Sequence, residues 1–400
     1  MINIILKRGR EDSLLRRHPW VFSGAIHQIE GKPEEGDTVR LLNSQGKVLG
    51  VGHYGMGSIA VRLLTFKDTP IDGQFWRKRF EQAFSLRRQI HLVGNQHTTA
   101  YRLVHGEGDS MPGLVVDVYG QTAVMQAHSV GMHRVRKELA EALVASTDNT
   151  IRNVYYKSEG TLPRNWRSDG NDAVTDGAVD GYLIGAKDDT VCLENDLHYE
   201  VDWLRGQKTG FFLDQRENRL LLRQMSNGCS VLNMFCYTGG FSVSALAGGA
   251  TRVVSVDTSE RAIEQTQRNV ALNFGEDVSH DAICQDGFEY LEHTNEKFNV
   301  VVLDPPAFAK HRGALHNALK GYTRLNMLGI DRVEKGGLLF TFSCSQVVTK
   351  EHFRNAVLGA AANMGRKATI LYQLHQPADH PISLFHPEGE YLKGLVIRLD

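Results

Sequence analysis

Residues 231–242 read VLNMFCYTGGFS, an apolar run that passes through the glycine pair Gly239 and Gly240 into a second apolar segment. A buried strand that turns through glycines into a helix is the opening unit of a doubly wound α/β sheet. Similar apolar runs follow and alternate with amphipathic segments; they read RVVSVD (252–257), DAICQD (281–286), FNVVVLD (298–304), GLLFTFSC (337–344), ATILYQL (368–374) and GLVIRL (394–399). The pattern predicts a Rossmann-like α/β domain with seven strands, the last two closing without another long helix.

One intervening segment illustrates the helices of this domain. Residues 259–273, SERAIEQTQRNVALN, begin with Ser259, a good N-cap residue, and predict an amphipathic helix. We expect Ala262, Ile263, Val270 and Leu272 to lie near its buried face.

The chain upstream of this domain has a different pattern. Residues 1–72 read as short alternating strands separated by glycine turns, which is typical of a small β barrel. Residues 73–187 combine a helix, several strands and a Gly/Asp-rich stretch at 168–181 that predicts a surface loop. The sequence therefore predicts three domains, a β barrel at 1–72, a central α+β domain at 73–187 and the Rossmann-like domain at 188–400.

The composition narrows the class of protein. With 42% hydrophobic and 23% charged residues, the 400-residue chain is expected to be globular. It has no apolar run of about 18 residues that could span a membrane, and its N-terminus lacks the features of a signal peptide. Five cysteines without a CxxC pair argue against a disulfide scaffold and a zinc ribbon, and we expect a cytoplasmic protein.

Charge is unevenly distributed along the chain. Residues 1–90 carry 15 Lys and Arg against 9 Asp and Glu, although the whole chain has a net charge of -1. An excess of basic residues in the N-terminal region suits binding to a phosphate backbone, but a basic face exposed to solvent would give the same count of charged residues. The 17 histidines show no metal-ligand spacing, and no metal site is expected; His311 and His316, five apart, are interpreted as facing such a phosphate backbone or as solvated.

Acidic residues follow three of the predicted strands, where ligands bind in such sheets. The turn at Gly239 lacks the G-x-G-x-x-G spacing of a dinucleotide fingerprint, so a ligand without phosphates is favoured. Asp257 follows Gly240 by 17 residues, near the spacing at which a carboxylate reaches ribose hydroxyls. Asp286, followed by Gly287, is placed to bond an adenine amino group. Each feature also has a structural reading, as a packing turn, a helix N-terminal carboxylate or an Asp-Gly turn.

Two further strand ends concern the reacting group. Asp304 is followed by Pro305 and Pro306, which restrict the backbone as it leaves the sheet. Cys344 ends the next apolar strand, so its thiol is expected to share a crevice with Asp304. A buried strand cysteine is otherwise often an apolar filler.

Several segments together resemble a known family. FCYTGGFSVSAL, VVSVDTS, LDPPAF and TFSCS, with KTGFFLDQRENR upstream and EGEYLKG near the C-terminus, are similar to the 23S rRNA cytosine-C5 methyltransferases of the RlmI type. The N-terminal RRHPWVFSGAI resembles the start of that family's PUA domain, an RNA-binding β barrel. The resemblance covers essentially the whole chain and implies a class I methyltransferase fold with S-adenosylmethionine as cofactor.

The resemblance also implies roles for individual residues. Cys344 would be the nucleophile and Asp304 would hydrogen-bond the cytosine. Residues implied in the cofactor site are Gln215, Phe235, Tyr237, Thr238, Gly239, Gly240, Asp257, Thr258, Ser259, Asn273, Asp286, Gly287, Phe288, Asp304 and Pro305. Asp214 and Glu217, near Gln215, would alternatively form a capping box. An active thiolate needs a nearby helix terminus or cation. Many related enzymes have a second cysteine where this chain has Ala307, so another group must remove the carbon 5 proton.

The implied partner is 23S rRNA, free or partly assembled. Its phosphates would meet Lys7, Arg8, Arg10, Arg16 and Arg17 of the N-terminal domain. Three alternatives stay open: methylation of an exocyclic amine with a structural Cys344, a SAM-responsive RNA-binding protein without turnover, and, more distantly, a nicotinamide oxidoreductase. The oligomeric state is left open, a homodimer included.

Overall fold

The computed structural model describes residues 1–163, 179–187 and 189–400. The chain forms two compact units. The N-terminal unit comprises residues 1–192, 201–211 and 378–389, and the C-terminal unit comprises residues 193–200, 212–377 and 390–400. Most of the Gly/Asp-rich stretch at 168–181 that predicts a loop lies outside the described residues. The three consecutive domains predicted from the sequence do not include the return of residues 378–389 to the N-terminal unit.

The first sheet of the N-terminal unit has six strands in the order β2-β6-β5-β4-β1-β3. Strands β1 and β4 pair in parallel, and the other neighbours are antiparallel. Alternate residues such as Val39 and Leu41 of β4 are buried, which places one face of the sheet against an apolar core. The elements are β1 (Ile2–Leu6), α1 (Asp12–Leu15), β2 (Trp20–Phe22), β3 (Ile26–Glu30), β4 (Thr38–Leu42), β5 (Val48–Tyr54) and β6 (Ile59–Thr65).

The second sheet of this unit has the order β11-β10-β9-β8-β7. Its helix α2 is capped by Asp72, whose side chain accepts from the Phe75 amide, and buries Trp76, Phe80 and Phe84. The elements are α2 (Gly73–Gln89), β7 (Ala100–His105), β8 (Leu114–Tyr119), β9 (Thr122–Ala127), α3 (Val130–Arg134), α4 (Arg136–Ala145), β10 (Asn153–Tyr156) and β11 (Gly181–Ile184).

A buried arginine holds residues 378–389 in the N-terminal unit. Arg87 of α2 forms a bidentate pair with Asp109 and donates to the Asp379 carbonyl at 2.7 Å. The Asp379 side chain in turn accepts from the Arg102 amide at 2.9 Å. Because these groups are buried, loss of one partner would leave an uncompensated charge, so the chain is fixed here.

The C-terminal unit contains a seven-stranded sheet in the order β16-β15-β14-β17-β18-β20-β19. Strand β20 runs antiparallel to both neighbours, and the remaining pairs are parallel. The predicted Rossmann-like α/β fold is confirmed. The strands are β14 (Ser230–Met234), β15 (Arg252–Asp257), β16 (His280–Cys284), β17 (Phe298–Leu303), β18 (Val333–Ser343), β19 (Ala368–Leu374) and β20 (Lys393–Leu399). The topology reverses at β14, which is the point where such sheets bind ligands.

The C-terminal unit also contains helices, and the chain enters this unit through a short hairpin. The hairpin consists of β12 (Val191–Glu194) and β13 (Leu197–Glu200), and the helices are α5 (Arg216–Gln224), α6 (Gly240–Ala247), α7 (Glu260–Phe274), α8 (Gly287–His293), α9 (Leu315–Arg332) and α10 (Lys350–Asn363). Within the described part of the chain, no helix is both long enough and apolar enough to cross a membrane.

Helix α7 forms as predicted and buries Ala262, Ile263 and Val270 as expected, but not Leu272. Ser259 caps it, accepting from the Ala262 amide at 3.3 Å, and Ile263 and Val270 are buried. Leu272 is 45% exposed, so its predicted position on the buried face is wrong. Two residues of an α-helix span about 200°, and this turns Leu272 away from the face that carries Val270.

Candidate active site

The carboxyl ends of five parallel strands meet at one edge of the C-terminal sheet, in the order β16, β15, β14, β17 and β18. Leu303 of β17 pairs with Thr341 of β18. Asp304 follows β17 directly and Cys344 follows β18 directly, so they leave adjacent strand ends. The turn that begins at Phe235 follows the central strand β14 at the same edge.

The turn after β14 has an unusual backbone. Its alternate residues Phe235, Tyr237 and Gly239 have φ angles of 58°, 48° and 78°. A non-glycine residue in this region costs on the order of 1 kcal/mol or more, and such residues cluster at ligand sites. A Cβ at Gly239 would lie 2.6 Å from the Thr266 methyl carbon, so only glycine fits there. The sequence indicated the glycines, but not the two left-handed aromatic residues.

Neighbouring side chains hold this turn in place. Thr266 Oγ1 of helix α7 donates to the Tyr237 carbonyl at 2.8 Å, and Asn269 Nδ2 donates to the Thr238 carbonyl at 2.9 Å. The Tyr237 amide donates to Asp257 Oδ2 at 3.0 Å. Thr266 and Asn269 are fully buried, which identifies them as supports of the site that sequence reasoning missed.

Asp257 ends β15 and is half-buried. Its Oδ1 accepts from the Ser259 amide at 3.0 Å, while its Oδ2 accepts from the Tyr237 amide. A carboxylate has about four lone-pair sites, so two backbone donors leave it able to accept from hydroxyl groups. The Ser259 hydroxyl is engaged in capping α7, and Thr258 is exposed beside Asp257.

Asp286 lies after β16 and begins helix α8. Its Oδ1 accepts from the amides of Phe288 and Glu289 at 2.9 and 3.0 Å. A Cβ on the next residue, Gly287, would lie 2.9 Å from the Phe235 ring, so the glycine permits close approach of α8 to the turn. Phe288 is half-buried, and the Arg324 guanidinium lies 5.2 Å from its ring centroid.

Gln215 contacts Asp304. Its Nε2 donates to Asp304 Oδ2 at 3.0 Å, and its Oε1 accepts from Asn218 at 2.6 Å. Gln215 is buried, and these bonds orient the half-buried Asp304 carboxyl group. The capping box suggested by the sequence does not form, because α5 has no side-chain cap and Asp214 accepts instead from the Tyr391 hydroxyl at 2.7 Å. Gln215 thus lies beside Asp304, which is itself followed by the buried Pro305.

Cys344 is half-buried and lies among polar groups. Ser343 on one side donates to the Tyr322 hydroxyl at 2.9 Å, and Ser345 on the other donates to the Ala309 carbonyl at 2.6 Å. Lys393 is 5% exposed and donates from Nζ to the Ser345 carbonyl at 2.5 Å. It begins strand β20 opposite Ser343 of β18, which brings its long side chain to the end of the strand that carries Cys344.

Electrostatic interactions link these groups. Burial lowers the pKa of Lys393 to about 8, and the negative charge of a Cys344 thiolate opposes this shift. Burial raises the pKa of Tyr322 to about 12, and negative charge on Cys344 and on Asp304 acts in the same direction. At neutral pH Lys393 is therefore mainly a cation beside Cys344, and Tyr322 is a neutral phenol. The sequence offered one signal for Lys393, a lysine at the start of the apolar strand GLVIRL.

A second cysteine lies at the same sheet edge. Cys236, in the turn after β14, is 6% exposed, and its Sγ lies 3.8 Å from Thr266 Oγ1. Burial, reinforced by the Asp257 carboxylate, raises the pKa of the Cys236 thiol. This environment favours the neutral thiol, in contrast to that of Cys344.

Asn273 is not brought to this edge. It lies near the end of α7, about 20 Å along the helix from Ser259 at ~1.5 Å per residue. Its side chain accepts from the His198 amide and donates to the His198 carbonyl, at 2.9 and 2.7 Å. The structure separates Asn273 from the cofactor site predicted for it, and its bonds hold strand β13 against α7.

The five predicted RNA-binding residues are all exposed in the N-terminal unit. Lys7 donates to the Gly24 carbonyl at 3.0 Å, and Arg16 donates to the Asp12 carbonyl at 3.3 Å. Arg17 lies over the Phe66 ring, 5.7 Å from its centroid. Arg8 and Arg10 lie on the exposed segment that follows β1.

A cluster of potential metal ligands also lies in the N-terminal unit. The donor atoms of His18, His386 and Glu388 are within 4.8 Å of one another. However, His18 Nδ1 accepts from the Trp20 amide at 3.2 Å, so in the neutral ring Nε2 carries the proton and donates to Glu388 at 3.4 Å. His386 Nε2 lies 3.7 Å from the same Glu388 carboxylate.

The strand-end residues of the C-terminal unit fit an adenosyl cofactor. Two carboxylates, Asp257 and Asp286, accept from backbone amides and retain lone pairs for hydroxyl and amine groups. The half-buried Phe288 offers an aromatic wall, and Gly287 allows close approach. Two carboxylates at one sheet edge suit a cationic cofactor better than a pyrophosphate, whose negative charge they would repel.

The fold and this donor set define an S-adenosylmethionine-dependent methyltransferase preceded by a PUA-like domain. Residues 173–354 match the model of the S-adenosylmethionine-dependent methyltransferase family, and residues 4–66 match that of the PUA-like domain. The predicted cofactor, S-adenosylmethionine, is thereby confirmed. A SAM-dependent methyltransferase structure from Streptococcus mutans shares the fold, with a TM-score of 0.83 and 24% identity over 100% of both chains.

Relatives of known name place the chain more closely. It is 40% identical to the ribosomal RNA large subunit methyltransferase I of Enterobacter sp. (strain 638), covering 100% of this chain and 99% of that protein. It is also 40% identical to the protein of the same name from Tolumonas auensis, covering 99% and 98%, and 39% identical to that of Escherichia coli K12. The chain belongs to the ribosomal RNA large subunit methyltransferase I family.

Proposed function

We propose that this protein transfers a methyl group from S-adenosylmethionine to carbon 5 of a cytosine in 23S rRNA, through a covalent adduct with Cys344. Its named relatives are large-subunit rRNA methyltransferases. The observation that carries the choice of cytosine carbon 5 is the juxtaposition of Cys344 with the Lys393 ammonium, next to the strand end of Asp304.

Residues around the turn after β14 would hold the cofactor. Asp257 would accept from the ribose hydroxyls, Asp286 would bond the adenine amino group, and Phe288 would wall the ring. Thr258, Pro305 and the turn from Phe235 to Gly240 would complete the pocket. When bound, S-adenosylmethionine supplies an electrophilic methyl group.

Cysteine is needed because carbon 5 of cytosine is a poor nucleophile. Addition of the Cys344 thiolate to carbon 6 breaks the aromatic conjugation and makes carbon 5 enamine-like. Asp304 would hydrogen-bond the base at N3, give it a proton as charge develops on the ring, and take that proton back when the thiolate is expelled. After carbon 5 is methylated, loss of its proton to a base restores the double bond and expels the thiolate.

Lys393 would keep Cys344 in its reactive form. A cation next to a thiol lowers the thiol pKa and increases the fraction of thiolate. Lys393 is suited to this because its donation to the Ser345 carbonyl fixes the ammonium beside the strand end. It is assigned here as a positioning residue, acting through Cys344.

The target base must leave its stack to reach a thiol at a sheet edge. Free or partly assembled 23S rRNA is therefore the proposed substrate.

The five cysteines are free thiols, which agrees with a reducing cytoplasm.

Trapping of the adduct tests this proposal directly. A 23S rRNA transcript containing 5-fluorocytidine has no carbon 5 proton at the target, so the wild-type protein with S-adenosylmethionine should form a stable covalent complex on a denaturing gel. Cys344→Ser should form none. Cys229→Ser removes another half-buried thiol, at the start of β14, and should trap RNA like the wild type.

Two results would contradict the mechanism. Methyl transfer by Cys344→Ser at the wild-type rate would favour an exocyclic amine as the target and a structural Cys344. Absence of transfer by the wild type to rRNA in every assembly state would favour an RNA-binding protein that responds to S-adenosylmethionine without turnover.

A further inference from the structure

A cavity of about 440 Å³ opens in the N-terminal unit. Five separate parts of the chain line it: residues 17 and 19, the end of β6 with the residues that follow, helix α2, residues 107–112 after β7, and residues 383 and 385. Its volume lies within the range of roughly 300–1,000 Å³ that is usual for ligand sites. Much of its wall lies outside residues 4–66, the part of the chain that matches the PUA-like domain.

The wall of this cavity is strongly basic. It carries the four cations Arg17, Lys67, Lys78 and Arg79. None of them forms an ion pair within residues 1–163, 179–187 and 189–400, whereas Arg77 of the same helix pairs with Glu81 at 3.0 Å. Unneutralised cations in a concave site attract polyanions.

The wall also carries a single carboxylate, Glu107, and it is already bonded. Its Oε1 accepts from Trp20 Nε1 at 2.8 Å. Four cations against one carboxylate leave the lining with an excess of positive charge.

Three phenylalanines, Phe66, Phe75 and Phe385, also line the cavity. Arg17 lies 5.7 Å from the ring centroid of Phe66, and Arg79 lies 5.0 Å from that of Phe75. Phe385 is 52% exposed. Exposed aromatic rings interspersed with cations form the surfaces on which unpaired bases stack while their phosphates are neutralised.

We propose that this cavity is a groove that binds an unpaired stretch of the RNA substrate, with phosphates on Lys67 and Lys78 and a base stacked on Phe385. The proposal rests on the proposed function only in taking RNA as the substrate. A duplex hides its base faces and could use only the cations, so single-stranded RNA fits this combination better. The site extends the predicted RNA-binding surface, of which Arg17 lines the groove, onto helix α2 and residues 383–385.

Binding of the full-length protein to a fluorescein-labelled single strand of about 12 nucleotides tests the groove by anisotropy. Phe385→Ala should weaken binding by about 10-fold, because one stacking contact is lost, and Phe385→Trp should retain it. Lys78→Ala should weaken binding at all sequences and lower the slope against salt by about 1. Lys137→Ala, an exposed lysine of the same unit outside the groove, should bind like the wild type.

Three results would overturn the proposal. The first is wild-type affinity in both Phe385→Ala and Lys78→Ala; the second is a matching duplex that binds as tightly as the single strand with the same sensitivity to Phe385→Ala. The third is polyglutamate that competes with the labelled strand as well as unlabelled RNA does and whose binding is equally weakened by Phe385→Ala. That result would indicate an acidic protein partner. Binding is measured without cofactor, so a wild type that binds at the groove but transfers no methyl group would contradict the proposed function and leave the groove standing.

Discussion

The ends of β14 and β18 each carry a cysteine at the same edge of one sheet, yet their surroundings are opposite. Cys236 is buried within the turn after β14, close to Thr266 and Asp257. Cys344 is half-buried and has the Lys393 ammonium beside it. A carboxylate and burial both favour a neutral thiol, while a cation and partial exposure favour a thiolate. The neighbours of a cysteine, more than its place at a strand end, therefore suit it to nucleophilic chemistry.

The largest expected effect separates the two thiols by rate. Cys344→Ala should lower methyl transfer to 23S rRNA by on the order of 10³-fold or more, because the base is no longer activated. Cys236→Ala should lower it by less than about 10-fold, through looser packing of the turn. Single-turnover transfer of a labelled methyl group measures the rate of each variant. As the control, calorimetry measures the affinity of each variant for S-adenosylmethionine. Equal losses in the two variants would contradict the assignment of Cys344, rather than Cys236, as the nucleophile.

A smaller effect should follow from removing the cation. Lys393→Met should lower the rate near neutral pH by roughly 10–100-fold, because an adjacent charge shifts a pKa by about 1–2 units. Its rate should recover as pH rises, since the thiol then ionises without help. Lys393→Arg should keep the wild-type profile on the acid side.

The difference in rate expected at alkaline pH follows from the pKa of Lys393, which is lowered to about 8. Above that pH the wild-type lysine loses its proton, so its advantage over Lys393→Met should shrink, while Lys393→Arg keeps its charge. Rate profiles from pH 6 to 10 distinguish these cases. Parallel profiles for the wild type and Lys393→Met would contradict the role of Lys393.

The contrast between the thiols also explains what the sequence could predict. Apolar runs that end in Asp257, Asp304 and Cys344 predict the strands and the edge at which these residues lie, because parallel strands all end on one side. Lys393 could not be assigned, since its place beside Cys344 depends on the antiparallel register of β20 against Ser343. That register is set by tertiary pairing and has no local signal.

Two other features of the site could not be predicted from local sequence patterns, because they too depend on the tertiary structure. Phe235 and Tyr237 adopt left-handed backbone that their residue types disfavour, and the buried Thr266 and Asn269 of a distant helix help to hold it. Asn273 was placed in the cofactor site by resemblance, but the direction of α7 carries it away from the sheet edge.

A smaller effect than that of Lys393→Met is expected at the end of β17, the strand between β14 and β18. Gln215 donates to Asp304 Oδ2 and is held by Asn218, so Gln215→Ala should let the Asp304 carboxyl group rotate. We expect kcat to fall by about 10-fold, because a misplaced catalytic group costs rate more than binding. The KM for S-adenosylmethionine should stay unchanged, whereas Asp257→Asn should raise it. The opposite result for Gln215→Ala, a raised KM with unchanged kcat, would mean that Gln215 contacts the cofactor, as the family resemblance implies, and that Asp304 is oriented by other groups.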